Sequence, residues 1–102
     1  MYVLVFVSCP DEVEAARIGK MAVENRLAAC ATIMPKARSI YRWKGRIEEA
    51  DEALLIVKTR EELFRRLEKL VVENHPYSLP EIVSLRIDEG YTPYLEWIRE
   101  ET

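Results

Sequence analysis

The sequence predicts an α+β sandwich of the ferredoxin-like type, with the element order β-α-β-β-α-β and one further helix at the C-terminus. Two observations predict it. Short apolar runs alternate with helical stretches in that order along 102 residues, the size of one ordinary domain. The chain also contains a weak repeat, in which Leu4–Val7, a helix and Val23–Asn25 correspond to Leu55–Val57, a second helix and Val72–Asn74. Two βαβ units of this size form a split-βαβ sandwich, so we expect residues 1–102 to be a single domain.

The first third of the chain contains a strand, a helix and a second strand. The first predicted strand covers Tyr2–Ser8. The first helix begins at Asp11, whose spacing to the glutamate three positions later is that of a capping box, and it ends near Asn25. The next apolar run, Ala28–Met34, is predicted to be a strand that Pro35 limits.

A hairpin is predicted in the middle of the chain. Ser39–Trp43 and the segment that begins at Ile47 flank Lys44–Arg46. We expect Gly45 to supply the positive φ of a bulged hairpin turn there. The third apolar run, Ala53–Lys58, is predicted to be the strand that follows.

The second half of the chain repeats the helix and strand and adds a last helix. Thr59–Glu62 has the spacing of a capping box and is predicted to start the second helix, which ends before Pro76 because proline cannot continue a helix. Ile82–Ile87 is the fourth predicted strand. Thr92 and Pro93 are predicted to cap the last helix.

The predicted strands are apolar on both faces. A sheet that is covered by helices on one face should alternate apolar and polar residues, but Val3–Val7, Ala28–Met34 and Leu54–Val57 do not. The remaining apolar surface would exceed what soluble monomers usually expose, so we expect further copies of the chain to cover it. The alternative is that the last helix and the long hairpin fold back over this face.

Charge and targeting signals narrow the function classes. The chain has 15 basic and 18 acidic side chains, a net charge of -3, which disfavours a dedicated nucleic-acid binder. Arg42 and Lys44 do surround the aromatic pair Tyr41 and Trp43, but the acidic run Glu48–Glu52 follows at once. We therefore expect neither nucleic acid nor a membrane as partner, since the apolar N-terminal run is too short to span a bilayer and lacks the flanks of a signal peptide.

Three side chains are candidate metal ligands. His75 is the only histidine and lies where a helix should end, so it is either a helix cap or a ligand that needs further donors. Cys30 lies in a run of small residues and is either a core residue or a donor. Cys9 precedes a helix N-terminus, where a thiolate would be stabilised, and sulfur ligands favour Cu(I). The two cysteines form no Cys-x-x-Cys pair and no disulfide framework, which predicts a cytoplasmic protein.

The sequence contains no known catalytic motif. Its three glycines do not form a phosphate-binding loop, and it has no nucleophile elbow or His-Glu-x-x-His segment. We therefore expect no catalytic activity and no organic cofactor. An enzyme whose site forms only between subunits is the alternative.

Five stretches occur in the order typical of one family. They are Leu27–Ala31, Ser39–Glu49, Lys58–Thr59, His75–Ile82 and Tyr94–Trp97. Together they resemble the CutA divalent-cation tolerance proteins from end to end. The resemblance implies a ferredoxin-like fold and a homotrimer, similar to PII signalling proteins, whose sheets pack around a threefold axis.

The resemblance also implies a function in tolerance of divalent cations, copper above all, and in weak copper binding. Some bacterial members carry a cysteine in the first strand and a His-His pair before the Pro-Tyr sequence. The equivalent positions here are Val7 and Asn74, so that only His75 matches. Cys9 lies two residues further along the strand on the same side, so the implied metal ligands are His75 with Cys30 or Cys9. The alternative is a PII-like signalling or small-ligand module that uses clefts between subunits near Trp43, Lys44 and Tyr77.

Overall fold

A computed structural model describes residues 1–102 and confirms the predicted order of elements. The elements are β1 (Tyr2–Cys9), α1 (Glu12–Glu24), β2 (Cys30–Trp43), β3 (Arg46–Arg60), a 3₁₀ turn (Glu61–Leu63), α2 (Phe64–Asn74), β4 (Ile82–Arg86) and α3 (Thr92–Glu101). The four strands form one sheet in the order β2-β3-β1-β4, and every neighbouring pair is antiparallel. None of the helices is both long and apolar enough to cross a membrane.

The core lies between one face of the sheet and the helices α1 and α2. Burial alternates along β1, and the side chains of Val3, Val5 and Val7 point into this core. Leu55 and Val57 of β3 join them, and apolar side chains of both helices close the cluster. Since strand side chains alternate with a period of two, the even-numbered residues of β1 and β3 lie on the opposite face.

The start of α1 is determined by its own sequence. Asp11 is the N-cap, and its Oδ1 accepts a hydrogen bond of 2.9 Å from the backbone N–H of Glu14. At the other end, Asn25 is the C-cap and its amide donates to the carbonyl of Met21. Both predicted ends are confirmed because each rests on contacts within one turn.

Pro35 does not end the second strand. The strand β2 continues through it, and the pairing with β3 shifts by one residue between Met34 and Ala37. This is a β-bulge, which accommodates the missing N–H of proline. Tyr41 and Trp43 each follow Met34 by an odd number of positions, so a regular strand would place them on the face opposite to Met34. The extra residue of the bulge places all three side chains on the same face.

The hairpin between β2 and β3 has a two-residue loop. Trp43 pairs directly with Arg46, and the loop residues Lys44 and Gly45 have φ values of 50° and 80°. Two positive φ values are those of a type I′ turn, so the expectation of a bulged turn is wrong. The hairpin extends the molecule, whose dimensions are 45 × 25 × 22 Å, and we call residues 37–52 the arm.

The predicted capping box at Thr59 is also wrong. The strand β3 continues to Arg60, and Thr59 pairs with Val3 of β1 in the buried layer. Its Oγ1 is buried without a hydrogen-bond partner. The end of α2 is confirmed at Asn74, and the N–H of His75 donates to the carbonyl of Val71.

The second face of the sheet remains open, and we call it the open face. It consists of the apolar side chains Leu4, Phe6, Met34, Leu54, Ile56, Val83 and Leu85. Met34, Val83 and Leu85 are about half exposed, at 51%, 48% and 51%. The helix α3 meets β3 at one end, where the carbonyl of Thr102 accepts a hydrogen bond from Arg60. Neither α3 nor the arm therefore covers this face.

Candidate functional site

A cavity of about 740 Å³ lies where β1 ends. Its walls come from three parts of the fold, namely the end of β1, the arm and the loop that leads into β4. The lining residues are Ser8 of β1, then Ser39, Ile40, Tyr41, Trp43 and Glu52 of the arm, and Pro76, Tyr77, Ser78, Leu79 and Glu81 of the loop. The bulge in β2 places Tyr41 and Trp43 on this side of the arm. The cavity is therefore a product of the topology, since the residues that line it are distant in sequence.

His75 connects the end of α2 to the end of β1. It is 9% exposed, and its Nε2 lies 2.7 Å from the carbonyl oxygen of Ser8. Its Nδ1 accepts a hydrogen bond of 3.0 Å from the backbone N–H of Tyr77. These partners assign the neutral tautomer with the proton on Nε2. Both ring nitrogens are thus engaged, and a metal ion would have to displace one of these bonds.

Tyr77 and Glu52 form the second connection. The hydroxyl of Tyr77 donates to Oε2 of Glu52 at 2.8 Å. Burial and this carboxylate raise the pKa of Tyr77, which keeps the phenol protonated as a donor. Ser8 donates from its hydroxyl to Oε1 of Glu81 at 2.9 Å. The loop that follows α2 is therefore held to both β1 and β3 by polar side chains.

Cys9 lies next to this network but points to the other side of the sheet. It is fully buried beneath the helices, and its Sγ is 3.9 Å from the carbonyl oxygen of Val7. Burial raises the pKa of this thiol to about 11, and the carboxylates of Glu14, Glu52 and Asp11 act in the same direction. The expectation that the helix N-terminus stabilises a thiolate is wrong, because desolvation and these carboxylates outweigh it.

Cys30 lies far from this site. It is partly exposed at the start of β2 on the open face, with the ammonium of Lys58 3.7 Å from its sulfur. Cys30 pairs with Lys58 of β3, whereas Cys9 pairs with Ala53. Five residues of strand separate the two levels by about 17 Å, and the two thiols lie on opposite faces of the sheet. Within one chain they cannot bind the same ion.

The structure contains no preformed metal centre. No group of three or more His, Cys, Asp or Glu side chains is arranged to hold an ion. A second cavity of about 530 Å³ is lined by the carboxylates of Asp11, Glu12, Asp51 and Glu52. Asp11 caps α1, however, and Glu52 accepts from Tyr77. The donor set of a single chain does not fit a closed metal site of the usual type.

The predicted ligand-cleft residues are brought together in part. Trp43 and Tyr77 line the larger cavity, whereas Lys44 lies outside it with its ammonium 5.9 Å from the centre of the Trp43 ring. The sequence analysis missed Glu52, which it treated only as part of the acidic run Glu48–Glu52. Side chains two residues apart in a strand share a face, and this periodicity could have placed Glu52 on the same face of β3 as Leu54.

Comparisons with known proteins agree with this fold over its whole length. A profile of the family described as CutA1 divalent ion tolerance protein matches residues 3–101. The divalent-cation tolerance protein CutA of Thermus thermophilus is 48% identical, over 97% of this chain and 96% of that protein. Human protein CutA is 44% identical, over 95% of this chain and 54% of that protein. The chain thus spans about half the length of this human relative.

Solved structures give the same result. The divalent cation tolerance protein (Cut A1) from Thermus thermophilus superposes with a TM-score of 0.98 and 48% identity, over 100% of this chain and 99% of that one. The periplasmic divalent cation tolerance protein CutA from Archaeoglobus fulgidus has a TM-score of 0.96 and 38% identity, over 99% and 98% of the two chains. Matches of this identity and coverage extend beyond the fold to the family. The chain belongs to the CutA1 divalent ion tolerance protein family.

Proposed function

We propose that this protein acts in tolerance of divalent cations, as a single-domain protein without catalytic activity that assembles as a homotrimer and binds copper or another divalent cation weakly. The observation that carries the proposal is the family match over residues 3–101. The relative from Thermus thermophilus, which is named a divalent-cation tolerance protein, supports it with 48% identity. The cation is a cargo in this proposal and not a resident cofactor.

We assign the donor role within one chain to His75 and Cys9, which meet at the end of β1 although the thiol of Cys9 points to the helix side of the sheet. The carbonyl of Ser8 accepts the hydrogen bond of His75, and Cys9 is the next residue in β1. Binding requires His75 to release one hydrogen bond, and it requires Cys9 to lose a proton although its pKa is about 11. Both requirements oppose metal binding, which is why we expect it to be weak and to increase with pH.

Cys30 is the alternative sulfur donor. Within one chain the structure separates it from His75, and the ammonium of Lys58 beside its sulfur repels cations. Cys30 would reach a histidine only in another copy of the chain. A role for it therefore depends on assembly.

The open face supports assembly. Its three half-exposed side chains, Met34, Val83 and Leu85, continue into the apolar residues Leu4, Phe6, Leu54 and Ile56 of β1 and β3, and Lys58 lies at one end of this patch. Soluble monomers rarely expose an apolar patch of this extent. We propose three copies because of the family, and a cytoplasmic location because both cysteines are free. Relatives are named chloroplastic in Arabidopsis thaliana and periplasmic in Archaeoglobus fulgidus, so location differs within the family.

Titration with Cu(I) under anaerobic, reducing conditions, in competition with a chelator of known affinity, tests the proposed donors. We expect His75→Gln and Cys9→Ser each to weaken binding by about tenfold or more. Cys30→Ser is the matched control and should bind as the parent does. If all three variants bind like the parent, the assignment of these donors is wrong. If only Cys30→Ser weakens binding, the site is formed between copies.

A further inference from the structure

The arm projects beyond the rest of the sheet. The strand β1 pairs with β3 only as far as Ala53, and β4 pairs with β1 only as far as Ile82. Residues 37–52 therefore form a two-stranded ribbon that extends the molecule along its longest dimension. A two-stranded ribbon is marginally stable by itself, so the outer part of the arm needs a further surface to pack against.

The tip of the arm carries basic side chains that the chain itself does not neutralise. Residues 42–46 include three of them, which are exposed and take part in no ion pair. Arg46 pairs with Trp43 and shares the open face with it, and Glu48 on the same face forms no ion pair with it. Lys44 instead lies with its ammonium 5.9 Å from the centre of the Trp43 ring. Arg46 is therefore a free cation on the face that we assign to other copies.

The larger cavity carries the opposite charge. The carboxylates of Glu52 and Glu81 line it, and no lysine, arginine or histidine does. Each accepts a hydrogen bond from a neutral hydroxyl, of Tyr77 and of Ser8 respectively, and neither takes part in an ion pair. Ser8 and Glu52 lie on the open face, so copies of the chain that cover this face remove water from both charges. Because burying a carboxylate without a cation is unfavourable, the covering surface has to supply one.

The two charges cannot meet within one chain. Arg46 and Glu52 belong to the same strand and are six positions apart, about 20 Å. Glu81 bonds to Ser8, which pairs with Leu54, and Leu54 is eight positions from Arg46, about 26 Å. Both distances exceed the reach of an arginine side chain. We propose, on the basis of the assembly proposed above, that Arg46 of one copy enters the larger cavity of a neighbouring copy and forms ion pairs with Glu81 and Glu52 there.

A ring of three copies suits such a contact. Neighbours in a cyclic trimer meet through two different patches, so each copy offers its arm tip to one neighbour and its cavity to the other. A guanidinium binds carboxylates through paired N–H···O contacts and stacks on aromatic rings, which Tyr41 and Trp43 provide in the cavity wall. Lys58 is the other unpaired basic residue of β3 on the open face. Its ammonium is held 3.7 Å from the sulfur of Cys30 and 3.5 Å from Oγ1 of Thr32, at the opposite end of the sheet from the cavity.

Charge reversal tests the pair in the full chain. Light scattering over a dilution series measures the mass, in urea at the concentration that dissociates half of the parent assembly. We expect Arg46→Glu and Glu81→Lys each to raise the chain concentration of half-dissociation about tenfold or more. The variant that carries both changes should return to within about threefold of the parent. Arg46→Lys keeps the charge and should weaken assembly less than Arg46→Glu. Arg66→Glu, at an exposed and unpaired arginine of α2, is the matched control.

Recovery in the double variant supports the contact, because two unrelated losses would add. Additive losses, or a trimeric parent that neither reversal weakens, would overturn the contact and leave the proposed assembly intact. A monomeric parent would overturn both. Glu81 is exposed, and if Glu81→Lys does not fold, a cycle of Glu81→Gln and Arg46→Gln measures the same coupling without reversing a charge.

Discussion

Gly19 of α1 lies against the sheet so closely that replacing it with alanine should destabilise the protein. A Cβ atom at this position would lie 2.9 Å from the Cβ of Ala31 and 3.0 Å from Cδ1 of Leu55. The first of these atoms is fixed by the backbone of β2, and Leu55 is fully buried in the core. Neither neighbour can move away without displacing α1 from the sheet.

The size of the effect follows from two opposing contributions. Overpacking a core by one methyl group costs about 1–3 kcal/mol. Alanine is favoured over glycine in a helix interior by about 1 kcal/mol. Steric strain should therefore dominate, and we expect Gly19→Ala to lower the free energy of unfolding by about 1 kcal/mol. For a domain of this size, that corresponds to a fall in Tm of about 4–8 °C.

Thermal unfolding at equal chain concentration measures the change, because assembly makes Tm depend on concentration. Gly90→Ala is the matched control, since its new Cβ would meet only the side chain of Leu95 at 3.0 Å. That side chain is partly exposed and can move, so we expect a much smaller effect. An unchanged or higher Tm for Gly19→Ala would refute the inferred close contact of α1 with the sheet.

Three further predictions concern the site and the open face. Tyr77→Phe should lower the free energy of unfolding by about 1.5–3 kcal/mol, because the carboxylate of Glu52 loses its donor. In the double variant with Glu52→Gln the two losses should not add, and additive losses in urea unfolding would contradict the contact. Because burial raises the pKa of Cys9 from the ordinary thiol value of 9.0 to about 11, the folded state is favoured by a contribution that is fully present below pH 9. This contribution is lost as the pH rises towards 11. Stability should therefore fall more steeply over that range in the parent than in Cys9→Ser, and equal slopes would refute a buried thiol. Light scattering should give about three times the chain mass of 11.9 kDa. Leu85→Lys on the open face should lower the measured mass, whereas Val13→Lys at an exposed position of α1 should not. A stable monomer of the parent would exclude assembly.

The parts of the fold that rest on local contacts were predictable from the sequence. Asp11 caps α1 through a bond to a residue three positions away, and Pro76 ends α2 by lacking an N–H. Thr59 shows the limit of such signals. Its segment has a capping-box sequence, but pairing with Val3 extends β3 and buries the threonine, so tertiary contacts override the local preference.

The candidate site was less predictable because its contacts are distant in sequence. Tyr77 and Glu52 are 25 residues apart, and Tyr77 alone was recognised as a cleft residue. The positions of Cys9 and Cys30 on opposite faces depend on strand register, which composition does not reveal. Burial is the main cause of the raised pKa of Cys9, with smaller contributions from Glu14, Glu52 and Asp11, and neither the burial nor the approach of Glu52 is visible in the sequence.

The bulge between Met34 and Ala37 determines which changes in chain length this protein can tolerate. Deleting Lys36 would restore an uninterrupted ladder with β3 and would leave the core untouched. Tyr41 and Trp43 would keep their partners Glu48 and Arg46 and would stay on the face on which Met34 lies, because the bulge already absorbs the extra residue. The bulge is therefore a place where β2 can lose one residue without changing the face of the arm residues that follow.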